Sequence, residues 1–205
     1  MLIAMCGIDG AGKTTQIKAI EEFLIQKQKK VYLTKQPTNW YRKDERVRDF
    51  LKGDLSGDTL IKELALFSAS DKLRHWQTEI QPKMEEGYIV ITDRYLYSAF
   101  AYFMNRGIED TEWLRQINKF IPKPDITFFI NTDPQIAYER IIKRDGESAK
   151  KEEKDVEFLK RVSDVFRNQP WGESKDYYVI DGNNNIDDVK KEIIDVINLK
   201  LEGQE

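Results

Sequence analysis

One short stretch constrains what this chain can fold into more than any other. Gly7-Ile8-Asp9-Gly10-Ala11-Gly12-Lys13-Thr14 fits the pattern G-x-x-x-x-G-K-[ST], directly after the apolar run Leu2-Ile3-Ala4-Met5-Cys6 and before helix-forming residues from Thr15 to Gln28. The apolar run suits a buried strand and is too short for a helix, so strand, loop and helix follow in the order a phosphate-binding loop requires. Glycines let the backbone curl until successive N–H groups point at one anion, and the next helix adds the positive end of its dipole. Lys13 would then reach the β- and γ-phosphates of a nucleotide, and the Thr14 hydroxyl would coordinate Mg²⁺.

The rest of the chain continues an α/β alternation. Strand-like runs at Lys30–Thr34, Tyr88–Thr92, Asp125–Ile130 and Tyr177–Ile180 follow the first, separated by helical spacing, with no tight hairpin signal. That pattern predicts a parallel sheet covered by helices on both faces. Thr59 to Glu86 reads as one long helix that Pro82 kinks and Gly87 ends. Further helices are expected at Tyr97–Arg106, Glu109–Phe120, Pro134–Arg144, up to Asn168, and Ile186–Leu201. Asp145 to Asp155 interrupts the alternation. Asp145-Gly146-Glu147-Ser148 has turn chemistry, and Lys150-Lys151-Glu152-Glu153-Lys154 is a charge run without an apolar face.

Length and composition bound the function. At 205 residues one domain is expected, spanning the whole chain. The formal charge of -3 and the even spread of basic residues give no footprint for nucleic acid or a membrane surface, so a small-molecule partner is expected. No apolar run approaches the roughly 18 residues of a spanning helix, and the start lacks the basic region of a signal peptide. The single cysteine, Cys6, excludes an internal disulfide and suits a reducing compartment, so a cytoplasmic protein is expected.

Several further pieces carry a resemblance. They are the loop with Thr15-Gln16 after it, Asp71-Lys72-x-x-His75, Asp93-Arg94-Tyr95 with Ser98 and Ala101-Tyr102, Pro124-Asp125, and Asp133-Pro134. In these the chain resembles the thymidylate kinases, within the P-loop nucleoside monophosphate kinases, nearly from end to end. The resemblance implies a P-loop NTPase fold with a five-stranded parallel sheet in the order 2-3-1-4-5 and a mobile lid, here at about 145–155. It implies transfer of the γ-phosphoryl group of ATP to dTMP with Mg²⁺, in a homodimer.

Phosphoryl transfer needs held positive charge, because both reactants are anions and charge builds on the transferred oxygens. Arg94 falls at a strand end, where open α/β sheets place ligands, and matches the family arginine that grips the acceptor phosphate. Asp93 matches the acid near phosphates and metal, although alone it would pass as a helix cap. By the resemblance Gly7, Asp9, Gly10, Ala11, Gly12, Lys13, Thr14, Thr15 and Arg140 hold ATP, with Thr14 and Asp93 at the metal. Asp9, Pro37, Phe67, Lys72, Asp93, Arg94, Ser98 and Tyr102 hold the acceptor. Asp9 would accept from the 3'-hydroxyl, and Tyr102 would pack at C2' of the deoxyribose.

Gly10 stands where some relatives carry an arginine, and its absence resembles the branch whose catalytic cation comes from the lid. Arg140 and Arg144 match the paired arginines leading into that lid, and as plain residues they could equally be an ordinary charged helix face. The family's lid Asp-Arg falls here at Ala149-Lys150, so Lys150 replaces a planar fork and either it or Arg144 carries the role. Lys72 likewise stands where an arginine reads the thymine edge, and Gln36-Pro37 replaces a Glu-Pro pair. Aligning on Asp71 puts Ser68 at the base-stacking position, whereas aligning from the N-terminal side puts Phe67 there. These departures keep two alternatives open: a kinase for another acceptor such as dUMP, and a weakly active nucleotide-binding paralogue. His75, the only histidine, is expected to be structural.

Overall fold

The computed structural model describes residues 1–172 and 174–203. Strand β1 (Leu2–Cys6) forms the middle of the sheet, between β3 (Ile89–Asp93) and β4 (Ile126–Asn131), with β2 (Val31–Lys35) and β5 (Tyr177–Asp181) at the edges. All pairings are parallel and the order is β2-β3-β1-β4-β5, as expected from the resemblance. Every residue of β1 and β3 is buried, which is why β1 and the first three residues of β3 read as continuous apolar runs rather than alternating ones. Edge strand β2 is only partly covered.

Register sets up the site. Met5 lies beside Asp93 on one side and Phe128 on the other, so β1 delivers the glycine loop at the level where β3 ends in Asp93-Arg94. The Arg94 amide donates to the Met5 carbonyl at 2.8 Å, extending that pairing past the strand. Helix α1 (Lys13–Gln26) leaves the loop and packs against α10 (Ile186–Glu202). Helix α6 (Leu96–Asn105) follows β3 and packs against α4 (Asp58–His75) and α9 (Val156–Asn168), while α9 also meets α8 (Pro134–Asp145).

The expected long helix from 59 to 86 is divided. A π-helical turn at Trp76–Ile80 separates α4 from α5 (Gln81–Glu85). Pro82 has no N–H for the carbonyl four residues back, so the chain widens one turn ahead of it, and the proline falls in the first turn of α5 where no donor is needed. The segment after Pro37 contains a one-turn helix α2 (Asn39–Arg42), capped by Thr38 whose hydroxyl accepts from the Trp40 amide. Helix α3 (Glu45–Lys52) follows, capped by Asp44. Helix α7 (Thr111–Asn118) is shorter than expected at both ends. The expected lid carries two 3₁₀ turns, Gly146–Ser148 and Glu152–Lys154.

Candidate active site

The glycine loop is shaped by close backbone approach. Gly10 has φ +77°, and a Cβ built there would lie 2.2 Å from the Ala137 carbonyl oxygen in the first turn of α8. No side chain fits at that position without moving α8, so a loop arginine has no room in this arrangement. Helix α1 begins at Gly12 with no side-chain cap, which leaves its first amides directed at the loop's concavity. Thr14 and Thr15 are exposed there. Lys13 is buried and its ammonium donates to the Gly7 and Ile8 carbonyls at 3.1 and 2.7 Å. Burial lowers its pKa to about 8, and the nearby Arg94 charge adds to the fall.

Arg94 sits at the end of β3 with φ +68°, a left-handed conformation that costs a non-glycine residue about 1 kcal/mol or more. Its backbone is held there by the Met5 carbonyl and by the Thr92 hydroxyl, which donates to the Arg94 carbonyl at 2.7 Å. The guanidinium donates through Nη1 to the Gly7 carbonyl at 3.0 Å and lies 4.8 Å over the Tyr102 ring. Nη2 is 3.0 Å from Asp9 Oδ1 but is not aimed at it, so it remains a buried donor without a hydrogen-bond acceptor. Burial works against the Arg94 charge and Asp9 more than restores it.

Asp9 therefore has the partners an acid inside a phosphate loop requires. Besides Arg94 it accepts from the Tyr102 hydroxyl at 3.2 Å. Burial raises its pKa, and the charges of Arg94, Lys13 and Lys150 outweigh that and hold it well below the usual carboxylate range. Asp93 pairs through Oδ2 with Lys35 at 2.9 Å, while its Oδ1 is buried with no partner. Burial raises the Asp93 pKa as well, and Lys13, Arg94 and Lys35 bring it below its ordinary value.

A cavity of about 660 Å³ opens beside these groups. Of the expected residues, Asp9, Pro37, Lys72, Arg94, Ser98, Tyr102 and Lys150 line it. Phe67 does not, which corrects its expected stacking role: its ring packs on Trp40 and Tyr41 at 4.8 and 5.2 Å, under the Arg46 guanidinium. Helical periodicity explains the outcome. Ser68 and Lys72, four residues apart, share the face of α4 that meets the cavity, and Phe67 is turned about 100° from Ser68. Lys72 donates to the Ser68 hydroxyl and carbonyl at 2.6 and 3.1 Å, and burial lowers its pKa to about 8. Ser98 Oγ and Tyr95 Oη are buried without partners at the same cavity.

The wall opposite α6 is fixed by α4. Asp71 accepts from the Thr38 amide at 2.9 Å and from the Thr38 hydroxyl, while His75 Nδ1 meets Gln36 Nε2 at 3.0 Å. The other ring nitrogen of His75 lies 2.9 Å from Thr34 Oγ1 and 3.0 Å from Glu79. His75 is therefore structural, holding the Gln36-Pro37 segment against α4. Two cations in this wall were not singled out by sequence, Lys35 and Arg42. Arg42 donates to the Pro37 carbonyl at 2.6 Å, and burial lowers its pKa, with the Arg94 charge next in size. Their signal was position alone: both belong to the carboxyl end of β2 and the segment that follows, where open sheets bind ligands.

On the lid side, Arg140 Nη1 lies 3.4 Å from the Gly10 carbonyl, and Arg144 makes a two-point pair with Asp145 at 2.8 and 2.6 Å. Lys150 pairs with Glu153 at 2.5 Å. Arg140 and Arg144 do not line the cavity, although the Asp9 charge reaches Arg144 and contributes to holding it protonated, behind the larger effect of Asp145. Among the described residues no three His, Cys, Asp or Glu side chains converge as a metal cage. Mg²⁺ needs none. It favours one or two carboxylates, a hydroxyl, phosphate oxygens and water, and the unpartnered Asp93 Oδ1 with the exposed Thr14 hydroxyl fits that donor set.

A family model described as thymidylate kinase matches residues 6–193. The probable thymidylate kinase of Pyrobaculum calidifontis is 37% identical over 198 residues, 96% of this chain and 95% of its own length. That of Archaeoglobus fulgidus is 36% identical over 96% of this chain and 94% of its own length, and that of Staphylothermus marinus is 35% identical over 93% and 91%. With one family model over most of the sequence, and relatives of this identity aligned from end to end, the chain belongs to the thymidylate kinase family.

Proposed function

We propose that this chain transfers the γ-phosphoryl group of ATP to dTMP, producing dTDP and ADP. The observation that carries the reading is the Arg94 Nη2 donor, buried without an acceptor between the glycine loop and a cavity of nucleotide size. A phosphate oxygen of the acceptor completes its hydrogen bonding, with Arg42 and Lys35 as neighbouring cations. Lys13 turns from the Gly7 and Ile8 carbonyls onto the β- and γ-phosphates, which the amides of Gly10 to Thr15 surround. Arg140 lies beside that loop on the ATP side. No general base is needed, since the acceptor phosphate is already ionised at neutral pH.

Thr14 and Asp93 would hold Mg²⁺, which supplies charge neutralisation between the β- and γ-phosphates. Arg144 and Lys150 approach from the lid and meet the charge that develops on the transferred group, because Gly10 leaves the loop without a cation of its own. Lys72, paired with Ser68, faces the base; Tyr102 and Asp9 face the sugar. The exposed Leu66 and Leu73, seven residues apart on α4, are assigned to a homodimer contact. Among the described residues no helix is long and apolar enough to cross a membrane, and burial pushes the Cys6 thiol pKa up to about 12, which leaves it unreactive. A lone cysteine without a disulfide partner is consistent with a cytoplasmic site of action.

ADP release measured with dTMP, dUMP, dCMP and UMP tests the reading. The expected result is release that depends on acceptor and is fastest with dTMP. Release that ignores the acceptor, or that favours dUMP, would refute it.

A further inference from the structure

Arg106 caps the end of α6, one turn beyond Tyr102, and nothing above uses it. Its side chain is nearly buried, which a guanidinium tolerates only when its charge is met. Here it faces three rings, Phe50 of α3 at 5.2 Å and Phe103 and Tyr102 of its own helix at 5.4 and 5.6 Å. Its fork then closes on one lid carboxylate: Nε and Nη2 donate to the two oxygens of Glu152 at 2.8 and 2.7 Å. A planar fork held between ring faces has little freedom left to lose, so this pair fixes the carboxylate's direction as well as its distance.

The consequence lies two residues away. Glu152 opens the second 3₁₀ turn of the lid, whose backbone returns to Lys150 through bonds from the Glu153 and Lys154 amides to the Lys150 carbonyl at 3.0 and 3.1 Å. Fixing Glu152 therefore fixes the backbone that carries Lys150. At its other end α6 begins just after Arg94, and Tyr102 lies between the two arginines, bonded to Asp9. One helix thus connects the grip on the acceptor to the grip on the lid. Phe50 brings α3 to the same point, and Arg106, Phe50 and Glu152 all line the cavity.

We propose that Arg106 is a positioning residue that latches the lid through Glu152 and so sets Lys150 against the transferred phosphoryl group. This rests on the kinase reading above, in which Lys150 meets transition-state charge. The latch acts on the transferred group through Lys150 and not directly.

Glu152→Gln is the test, because it keeps the shape of a side chain that is one quarter exposed and removes the charge that Arg106 clamps. Two measurements are made. Trypsin cleavage after Lys150, Lys151 and Lys154 in the substrate-free protein is expected to quicken by about tenfold or more, as the released lid samples open states. With ATP and dTMP, kcat is expected to fall by about ten- to a hundredfold with KM for ATP little changed. Lys150→Ala added to Glu152→Gln is expected to cost almost nothing further, since both changes remove the same placed charge. Unaltered proteolysis would overturn the latch even if the protein proved inactive towards dTMP, which would strike at the kinase reading instead. In an active enzyme, an unchanged kcat, or costs that multiply in the double variant, would overturn the positioning role.

Discussion

Gly10→Ala is expected to destabilise the protein well beyond an ordinary loop substitution. The residue sits at φ +77°, and forcing a Cβ into that conformation costs about 1–2 kcal/mol. The added carbon would lie 2.2 Å from the Ala137 carbonyl oxygen and 2.9 Å from its carbon, both backbone atoms that cannot rotate aside. The start of α8 must retreat by roughly 0.8 Å to reach a tolerable contact, an overpacking cost of about 1–3 kcal/mol. Alanine also stiffens the unfolded chain, which returns up to about 1 kcal/mol. The net loss is about 1–5 kcal/mol, or roughly 2–20 °C in Tm for a domain of this size. Thermal unfolding followed by circular dichroism measures it, with kcat determined on the same preparation. Gly10→Arg is expected to lose at least as much and to gain no activity, because the shift that admits the side chain also moves the loop amides. A Gly10→Ala variant melting within about 1 °C of the parent, or a Gly10→Arg variant with a higher kcat and unchanged Tm, would refute the reasoning.

Lys13 predicts a pH dependence of ATP binding. Its pKa is about 8 in the free protein against 10.5 for an ordinary lysine, so above pH 8 binding must take up the proton that the phosphates require. Affinity should weaken towards about tenfold per pH unit between pH 8 and 10, and an equal slope in Lys13→Met would exclude Lys13 as its source. The stability of the ligand-free protein has the opposite sign, since the unfolded chain keeps a proton up to about pH 10.5 that the folded one releases near 8. The burial penalty of the charged form is complete below pH 8 and is relieved as pH rises through that window. Tyr102→Ala should narrow the preference for dTMP over its ribonucleotide, since a 2'-hydroxyl pressed on that ring loses water without a partner, at about 1–3 kcal/mol or roughly ten- to a hundredfold in kcat/KM. A folded Tyr102→Ala variant with an unchanged deoxy-to-ribo ratio would make the ring a packing residue only.

Much of this fold was legible because its signals are local. A buried apolar run, glycines at fixed spacing and a helix-forming stretch specify the first β-loop-α unit, and Asp93-Arg94 was readable because a buried strand ends there. The order of the strands came with the resemblance, as periodicity carries no information on which parallel strands pair. Phe67 shows where alignment fails without geometry: one residue along α4 separates a cavity wall from an aromatic cluster, and only the helix's rotation decides between them. Pro82 was correctly read as a disturbance, but whether a helix kinks or widens depends on what packs against the preceding turn. Arg42 and Arg106 were invisible for a different reason. Each is an arginine near an element's end, and its partners, Pro37 and Glu152, lie on other segments or across the cleft.

The pairing of the site's cations bears on the order in which it fills. Lys13, Lys35, Arg94, Arg144 and Lys150 would repel one another if left bare, and each is matched to an oxygen of its own chain. The matches differ in strength. Lys13 rests on neutral carbonyls, which a polyphosphate displaces with a large gain in charge neutralisation. Arg94 keeps Asp9 and still has an unused donor, so an acceptor phosphate adds to that pair and need not break it. The Arg144 and Lys150 side chains are more than half exposed. The Arg144 pair with Asp145 is of the surface kind that holds by about 0–1 kcal/mol, so exchanging Asp145 for a phosphoryl oxygen costs little, whereas Glu153 is buried and keeps only the Lys150 amide when the ammonium leaves it. Lys13 and Arg94, which grip the substrates, are thus buried and fixed, whereas the Arg144 and Lys150 side chains are exposed and change partners only when the phosphates between loop and lid offer more charge than a carboxylate does.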